Sequence, residues 1–157
     1  MSKHARFRIA RRERGYTMIE IVMAVGVSSI LTLMAIPQVK SLVYNYRLQG
    51  AVASCTWAIQ STRYQALQQG YPYQVAFKAS TGTYQIQNEA PPAATYSNVG
   101  SAIPISGSSI TVNQDTTLQF KPNGAVTAAT GALTFTLTYQ GMTKTVTVST
   151  YGNVKVS

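Results

Sequence analysis

Residues 15–37 read GYTMIEIVMAVGVSSILTLMAIP, and this stretch sets the architecture expected of the chain. Residues 18–36 are 19 positions whose only charged side chain is Glu20. A helix rises 1.5 Å per residue, so a helix of this length spans roughly 28 Å, about the hydrocarbon thickness of a bilayer. The stretch therefore predicts a helix that can cross a membrane once.

The segment in front of this stretch is strongly basic. Residues 1–15 hold six basic residues against one acidic residue, which is more than half of the net charge of +9 carried by the 157 residues. Basic residues that flank an apolar span stay on the cytoplasmic side. We therefore expect the chain after residue 36 to lie on the opposite side of the membrane.

Three simpler explanations of the apolar run are a cleaved secretory signal peptide, a plain signal anchor and a buried core helix. The best signal-peptide site, after Ala35, has Leu33 where a small residue is needed. The preceding arginines disfavour a core helix. None of the three explains Glu20, because a carboxylate inside an apolar span costs roughly 2.5–3.5 kcal/mol and marks a functional group that needs a partner.

The residues before Glu20 suggest what that partner is. Cleavage after Gly15 would place a new α-amino group on Tyr16 and make Glu20 the fifth residue of the shortened chain. The carboxylate would then lie one helical turn from a cationic amine. The alternative is a carboxylate that simply starts a helix and is stabilised by its dipole. That alternative leaves the junction of glycine and an aromatic residue unexplained.

The order of basic leader, Gly, aromatic residue, Thr, two apolar residues, Glu and long apolar helix resembles the class III signal of type IV pilins and type II secretion pseudopilins. The resemblance implies that prepilin peptidase cuts between Gly15 and Tyr16 and that Tyr16 is N-methylated. It also implies that Glu20 pairs with the N-terminal amine of a neighbouring subunit and that Pro37 kinks the helix. Tyr16 replaces the usual Phe, and Met18 replaces the common Leu.

The same resemblance implies where the protein resides. We expect a single-pass protein of the bacterial inner membrane with its head in the periplasm, which later enters a pilus or pseudopilus filament. The expected partners are the inner membrane, prepilin peptidase and other pilin or pseudopilin subunits.

After Pro37 the apolar pattern becomes amphipathic. Apolar residues recur at intervals of three, four and seven, at Val39, Leu42, Val43, Tyr46, Leu48, Val52, Cys55, Ile59 and Ala66. Gly70 is a natural C-cap. The pattern predicts one helix over residues 16–69, with a bend near Pro37 or Gly50.

From residue 71 onward the pattern has a period of two, which is typical of strands. Strands are predicted at residues 73–78, 83–88, 109–113, 117–121, 133–139, 143–149 and 154–157. Residues 90–108 are rich in Pro, Ala, Ser and Gly, which predicts a surface loop that is the best candidate for specific function.

These segments define the predicted organisation. A basic leader (1–15) precedes a hydrophobic helix (16–37), an amphipathic helix (38–70) and a β-sheet head (71–157). The fold class is α+β: a long N-terminal helix packs on a C-terminal antiparallel sheet, the arrangement that the resemblance implies as a pilin fold.

Composition leaves few groups for catalysis. His4 is the only histidine, Cys55 is the only cysteine, and the acids beyond Glu20 are Glu89 and Asp115. Acid–base, nucleophilic and metal-dependent reactions need more such groups than this chain carries. We therefore predict a protein that is not an enzyme and has no cofactor and no metal site.

Two later segments narrow the resemblance. The segment Phe120-Lys121-Pro122-Asn123-Gly124 and the closing strand–Gly–strand element around Gly152 are similar to those of the GspH/FimT group of minor pilins and pseudopilins. This implies a minor structural subunit of a type IV pilus or of a type II secretion pseudopilus. The sequence alone does not separate these two machines.

DNA binding is the alternative function. Some FimT-like minor pilins bind DNA, for uptake in natural transformation, through basic residues near the C-terminus. The matching positions here are Lys155 and, on the preceding strand, Lys144, whereas Asn153 stands where an arginine is common. Phosphate binding usually needs several cations, so two or three lysines are more often a solvated surface.

Overall fold

The computed structural model describes residues 15–105 and 110–157. The predicted basic leader therefore lies outside the described residues except for its last position, and so do the end of the 90–108 loop and the first residue of the strand predicted at 109–113. The chain divides into two compact units, Met1–Val39 and Lys40–Ser157.

Helix α1 spans Met18–Gln69, 52 residues, and confirms the predicted single helix. Its first residue lies two positions after the predicted start because Thr17 is the N-cap. The backbone N–H of Glu20 donates to the Thr17 side-chain oxygen at 3.3 Å and to the Thr17 carbonyl at 3.1 Å. Pro37 lies inside the helix, and the bend expected there stays a prediction.

Within the first unit, the apolar part of α1 has no buried side chain. Its hydroxyl side chains are satisfied by the helix itself. The hydroxyls of Ser28, Ser29 and Thr32 donate to carbonyls four residues earlier at 2.7–2.8 Å. A helix that satisfies its own hydroxyls in this way suits an environment without water.

Within the second unit, the buried face of α1 begins at Leu48 and runs to Ala66. The buried side chains belong to Leu48, Ala51, Val52, Cys55, Ala58, Ile59, Thr62 and Ala66. The apolar positions predicted from 48 onward are therefore confirmed. Leu42, Val43 and Tyr46 are exposed, so the buried face starts later than the amphipathic pattern, which begins at Val39.

Contacts with Tyr139, at one end of the head, mark where this buried face begins. Tyr44 packs edge-on against Tyr139, with ring centroids 5.6 Å apart, and Arg47 donates a 2.8 Å hydrogen bond to the Tyr139 hydroxyl. At the other end, the helix stops at Gly70, whose φ of +75° places it in the left-handed region. Its N–H donates to the Ala66 carbonyl at 3.2 Å, which confirms the predicted C-cap.

The described strands form two antiparallel sheets, whereas one sheet was predicted. The first sheet contains β1 (Tyr73–Lys78), β2 (Thr83–Asn88), β3 (Ser97–Asn98), β4 (Ile103–Pro104), β6 (Thr116–Phe120) and β7 (Val126–Thr130). The second contains β5 (Thr111–Val112), β8 (Thr134–Tyr139), β9 (Met142–Val148) and β10 (Val154–Val156). Their orders are β3-β2-β1-β6-β7, with β4 also on β2, and β10-β9-β8-β5.

Most predicted strands are confirmed to within one or two residues, and two regions differ. Strand β7 was missed because only Val126 of its five residues is buried, so the segment has no alternating pattern. The predicted loop 90–108 contains the short strands β3 and β4, which both pair with β2. Tyr96, in the same segment, accepts a hydrogen bond from the Gln119 side chain.

The two sheets meet in one hydrophobic core. Phe77 of β1 and Phe135 of β8 are both buried, and their ring centroids are 5.0 Å apart. We expect Phe135→Ala to lower the free energy of unfolding by about 3–5 kcal/mol, because it removes a buried ring and leaves a cavity. Chemical denaturation of the full chain in detergent measures this. Thr143→Ala, at an exposed position of β9, should change it by about 0.5 kcal/mol or less.

Cys55 lies fully buried on the helix face that contacts this core. Burial raises the pKa of the Cys55 thiol from 9.0 to about 12, because the apolar surroundings disfavour the thiolate. The thiol should therefore resist alkylation at pH 8 in the folded chain and react once the chain is unfolded. Rapid labelling of the native protein would contradict this.

The same raised pKa predicts a loss of stability in alkali. Above pH 9 the unfolded chain loses the Cys55 proton while the folded chain keeps it. The free energy of unfolding should therefore fall as pH rises from about 9 towards 12. Cys55→Ala should show a smaller fall over this range in denaturant titrations.

Candidate assembly site

The predicted cleavage junction lies immediately before the helix. Gly15 and Tyr16 are exposed and precede the cap residue Thr17. Among residues 15–105 and 110–157, no atom beyond its chain neighbours lies within 4 Å of the position where a Cβ on Gly15 would stand. Gly15, Tyr16, Thr17 and Glu20 line one shallow depression at this end of the helix. Within the part of the chain that the structure describes, no other segment covers the backbone between Gly15 and Tyr16.

Glu20 occupies the third helical position after the Thr17 cap. The spacing Thr-x-x-Glu is that of a capping box, and the first turn of a helix favours a carboxylate through the dipole. Glu20 uses its backbone N–H in this cap. No residue within 15–105 or 110–157 donates a hydrogen bond to its carboxylate or forms an ion pair with it. Its acceptor oxygens are open to a partner from outside these ranges.

The two segments noted near the C-terminus, residues 120–124 and the element around Gly152, lie against each other. The Val126 N–H donates a 2.8 Å hydrogen bond to the carbonyl of Thr150, which joins the turn after β6 to the turn between β9 and β10. The two turns share a neighbour on the helix, Arg63. Its Nη2 lies 4.0 Å from a Cβ placed on Gly124, and its Cδ lies 2.6 Å from a Cβ placed on Gly152.

Arg63 was missed by the sequence analysis, and its position shows why. A single basic residue on an amphipathic helix normally faces solvent. Arg63 is instead half-buried between two turns whose glycines, Gly124 and Gly152, lie 61 and 89 positions away in sequence. The one local signal is Gly152, whose φ of +79° and contact with Arg63 leave no room for a side chain.

The two lysines singled out for DNA binding do not share a face. On β9, Lys144 lies on the same side as the buried Val146 and Val148. Lys155 of β10 is paired with Thr147, which points to the opposite side. The sheet register therefore separates the two charges, and DNA binding through them stays a prediction without structural support.

The carboxylate of Asp115, between β5 and β6, already has hydrogen-bond partners. Asp115 accepts a 3.0 Å bond from Lys78 Nζ and a 2.8 Å bond from the Ala79 N–H. These contacts hold the pKa of Asp115 below its usual value, with the backbone N–H as the larger cause. Asp115 thus ties the β1–β2 turn to β6.

Comparisons with known proteins identify a family, an N-terminal motif and a similar fold. Residues 51–152 match the family described as type II transport protein GspH, and residues 10–36 match the prokaryotic N-terminal methylation motif. No curated protein matches the chain. A solved structure with a similar fold is that of the minor pseudopilin EpsH from the type 2 secretion system of Vibrio cholerae. It has a TM-score of 0.56 and 12% identity, and the match covers 71% of this chain and 96% of EpsH.

A long helix packed on antiparallel sheets behind an N-terminal methylation motif defines a subunit of the type IV pilin and pseudopilin superfamily. The family match takes in well over half of the chain and both C-terminal segments that contact Arg63. The chain therefore belongs to the GspH family, and its function is that of a minor pseudopilin.

Proposed function

We propose that this minor pseudopilin first resides in the bacterial inner membrane, with residues 18–36 across the bilayer and its head in the periplasm. Prepilin peptidase cuts it between Gly15 and Tyr16, and Tyr16 is N-methylated. The mature chain then enters the pseudopilus of a type II secretion system alongside other pilin-like subunits. The observation that carries this proposal is the carboxylate of Glu20, which has no hydrogen-bond or ion-pair partner among the described residues, at the start of an unburied apolar helix.

The driving force for assembly is the apolar surface of the helix. Large side chains along it are exposed, among them Ile19, Ile21, Val22, Met23, Val25, Ile30, Leu31, Leu33 and Met34. Burial of apolar surface contributes about 25 cal/mol per Å² relative to water. A filament core of packed helices keeps this surface out of water after the chain leaves the bilayer.

Apolar contacts do not fix how far one helix is displaced along its neighbour, so Glu20 sets that position. A carboxylate in an apolar core is unfavourable until a cation arrives at the same height. The α-amino group of a neighbouring mature subunit is such a cation. Each subunit is then placed relative to its neighbour by one ion pair, while Pro37 allows the helix to kink as it packs.

Intact-mass analysis of the protein extracted from membranes tests the processing step. We expect residues 16–157 with one added methyl group. A chain that begins at Met1 would contradict cleavage, and a chain that begins after Ala35 would show a signal peptide instead. Either result would remove the Tyr16 amine and the proposed role of Glu20 together.

A further inference from the structure

The groove beside Arg63 has the features of a binding site. It has a volume of about 400 Å³, and its walls come from one face of α1 and from the turn that leads into β10. The lining residues are Gln60, Arg63, Tyr64, Leu67, Gly152, Asn153 and Val154. All of them belong to the second compact unit.

Arg63 is held in place without being neutralised. Its stem packs on Gly152, where a methyl group would lie 2.6 Å from Cδ and 2.7 Å from Nε. Its Nε is buried and has no hydrogen-bond partner, and its guanidinium forms no ion pair with any residue in the described ranges. A cation that is fixed, partly desolvated and unpaired is unfavourable in the isolated chain, so it calls for an anionic ligand.

The other walls restrict the ligand. Asn153 is exposed at the groove and adds an amide that can donate, while Leu67 and Val154 provide apolar contact. A planar guanidinium matches a carboxylate through two parallel hydrogen bonds. One cation with an apolar surround suits a single acidic side chain better than a phosphate backbone, which needs several cations along its track.

We propose that this groove binds a carboxylate side chain of a neighbouring pilin-like subunit, with Arg63 as the anchoring residue. Charge favours a different subunit over a second copy of this chain. Residues 40–157 hold seven Lys or Arg against two acids, Glu89 and Asp115, and Asp115 is paired with Lys78. The nature of the partner rests on the proposed function, whereas the geometry of the groove does not.

The decisive variant is Arg63→Met, which keeps an unbranched stem against Gly152 and removes every donor. Each of the other pseudopilins of the same secretion system is purified in detergent, and its affinity for the full-length chain is measured. We expect one of them to bind, and Arg63→Met to weaken that binding about tenfold or more, the loss typical of a charged hydrogen bond. Lys155→Met, a matched change at an exposed position of β10, should leave the affinity unchanged.

Stability separates an anchoring role from a structural one. Because Nε has no partner in the described chain, Arg63→Met should keep or raise the melting temperature. A lower melting temperature together with an unchanged affinity would mean that Arg63 only supports the fold. Unchanged affinity at unchanged stability would also overturn the proposal.

Two further outcomes have defined meanings. The full chain is also tested with a 30-base-pair DNA duplex. If the wild-type chain binds the duplex, Arg63→Met does not, and no pseudopilin binds, the groove is a nucleic-acid site and the proposal is overturned. Failure of every pseudopilin to bind the wild-type chain would overturn it as well. The mass of the mature chain is measured separately, so the proposed function can survive either result.

Discussion

Replacing Glu20 by Gln is expected to leave the protein in the membrane and to remove it from the filament. Glutamine retains the capping-box geometry with Thr17, so the helix start is preserved. The substitution removes only the charge, and the neighbouring α-amino group then lacks its counter-ion inside an apolar core. Leaving one partner of a buried pair alone costs about 3–5 kcal/mol, so incorporation should fall at least 100-fold.

The measurement compares the protein in sheared filaments with the protein in membranes of cells that overproduce the secretion system. Glu20→Ala should behave like Glu20→Gln. Thr17→Ala is the matched control, because it weakens the cap by about 1 kcal/mol and keeps the charge. If Glu20→Gln entered filaments as well as the wild type, the carboxylate would serve only as a helix start.

Gly15→Glu should accumulate as an uncut precursor. No described segment lies within 4 Å of a Cβ placed on Gly15, so the new side chain would project from the cleavage junction. A long charged side chain at this position obstructs the close approach that a peptidase needs to the backbone. The precursor should run as a heavier band on a gel and should retain residues 1–15 by mass.

Gly26→Ala provides the control for this experiment. Gly26 lies inside the apolar helix, and a Cβ there also meets no atom of the described residues within 4 Å, so the mature chain should form normally. A Gly15→Glu chain that is cut between residues 15 and 16 would contradict the proposed processing. Loss of the protein from membranes in both variants would instead indicate a failure of insertion.

The elements of this fold follow from local patterns, but their pairing does not. The Thr17 cap, the Gly70 stop and the alternation along β1 and β2 are each encoded within a few residues. The division into two sheets depends on which strands are neighbours, and a period of two carries no information about that. Strand β7 illustrates the gap, because its residues are defined by hydrogen bonds to β6 and not by burial.

The N-terminal assembly site and the groove beside Arg63 also differ in whether a local pattern reveals them. Gly15, Tyr16 and Glu20 lie within six positions, so their pattern is visible in the sequence. Arg63 acquires its role from turns far away in the chain, and no local pattern marks it. Conversely, Lys144 and Lys155 lie near each other along two adjacent strands, and the parity of the register places them on opposite faces.

The buried thiol has a practical consequence for mapping neighbours in the filament. The chain has one cysteine, and it is sealed inside the head. A second cysteine introduced at an exposed position would be the sole accessible thiol in the folded protein. Disulfide trapping between adjacent subunits could therefore proceed on the natural background, with no need to engineer Cys55 away.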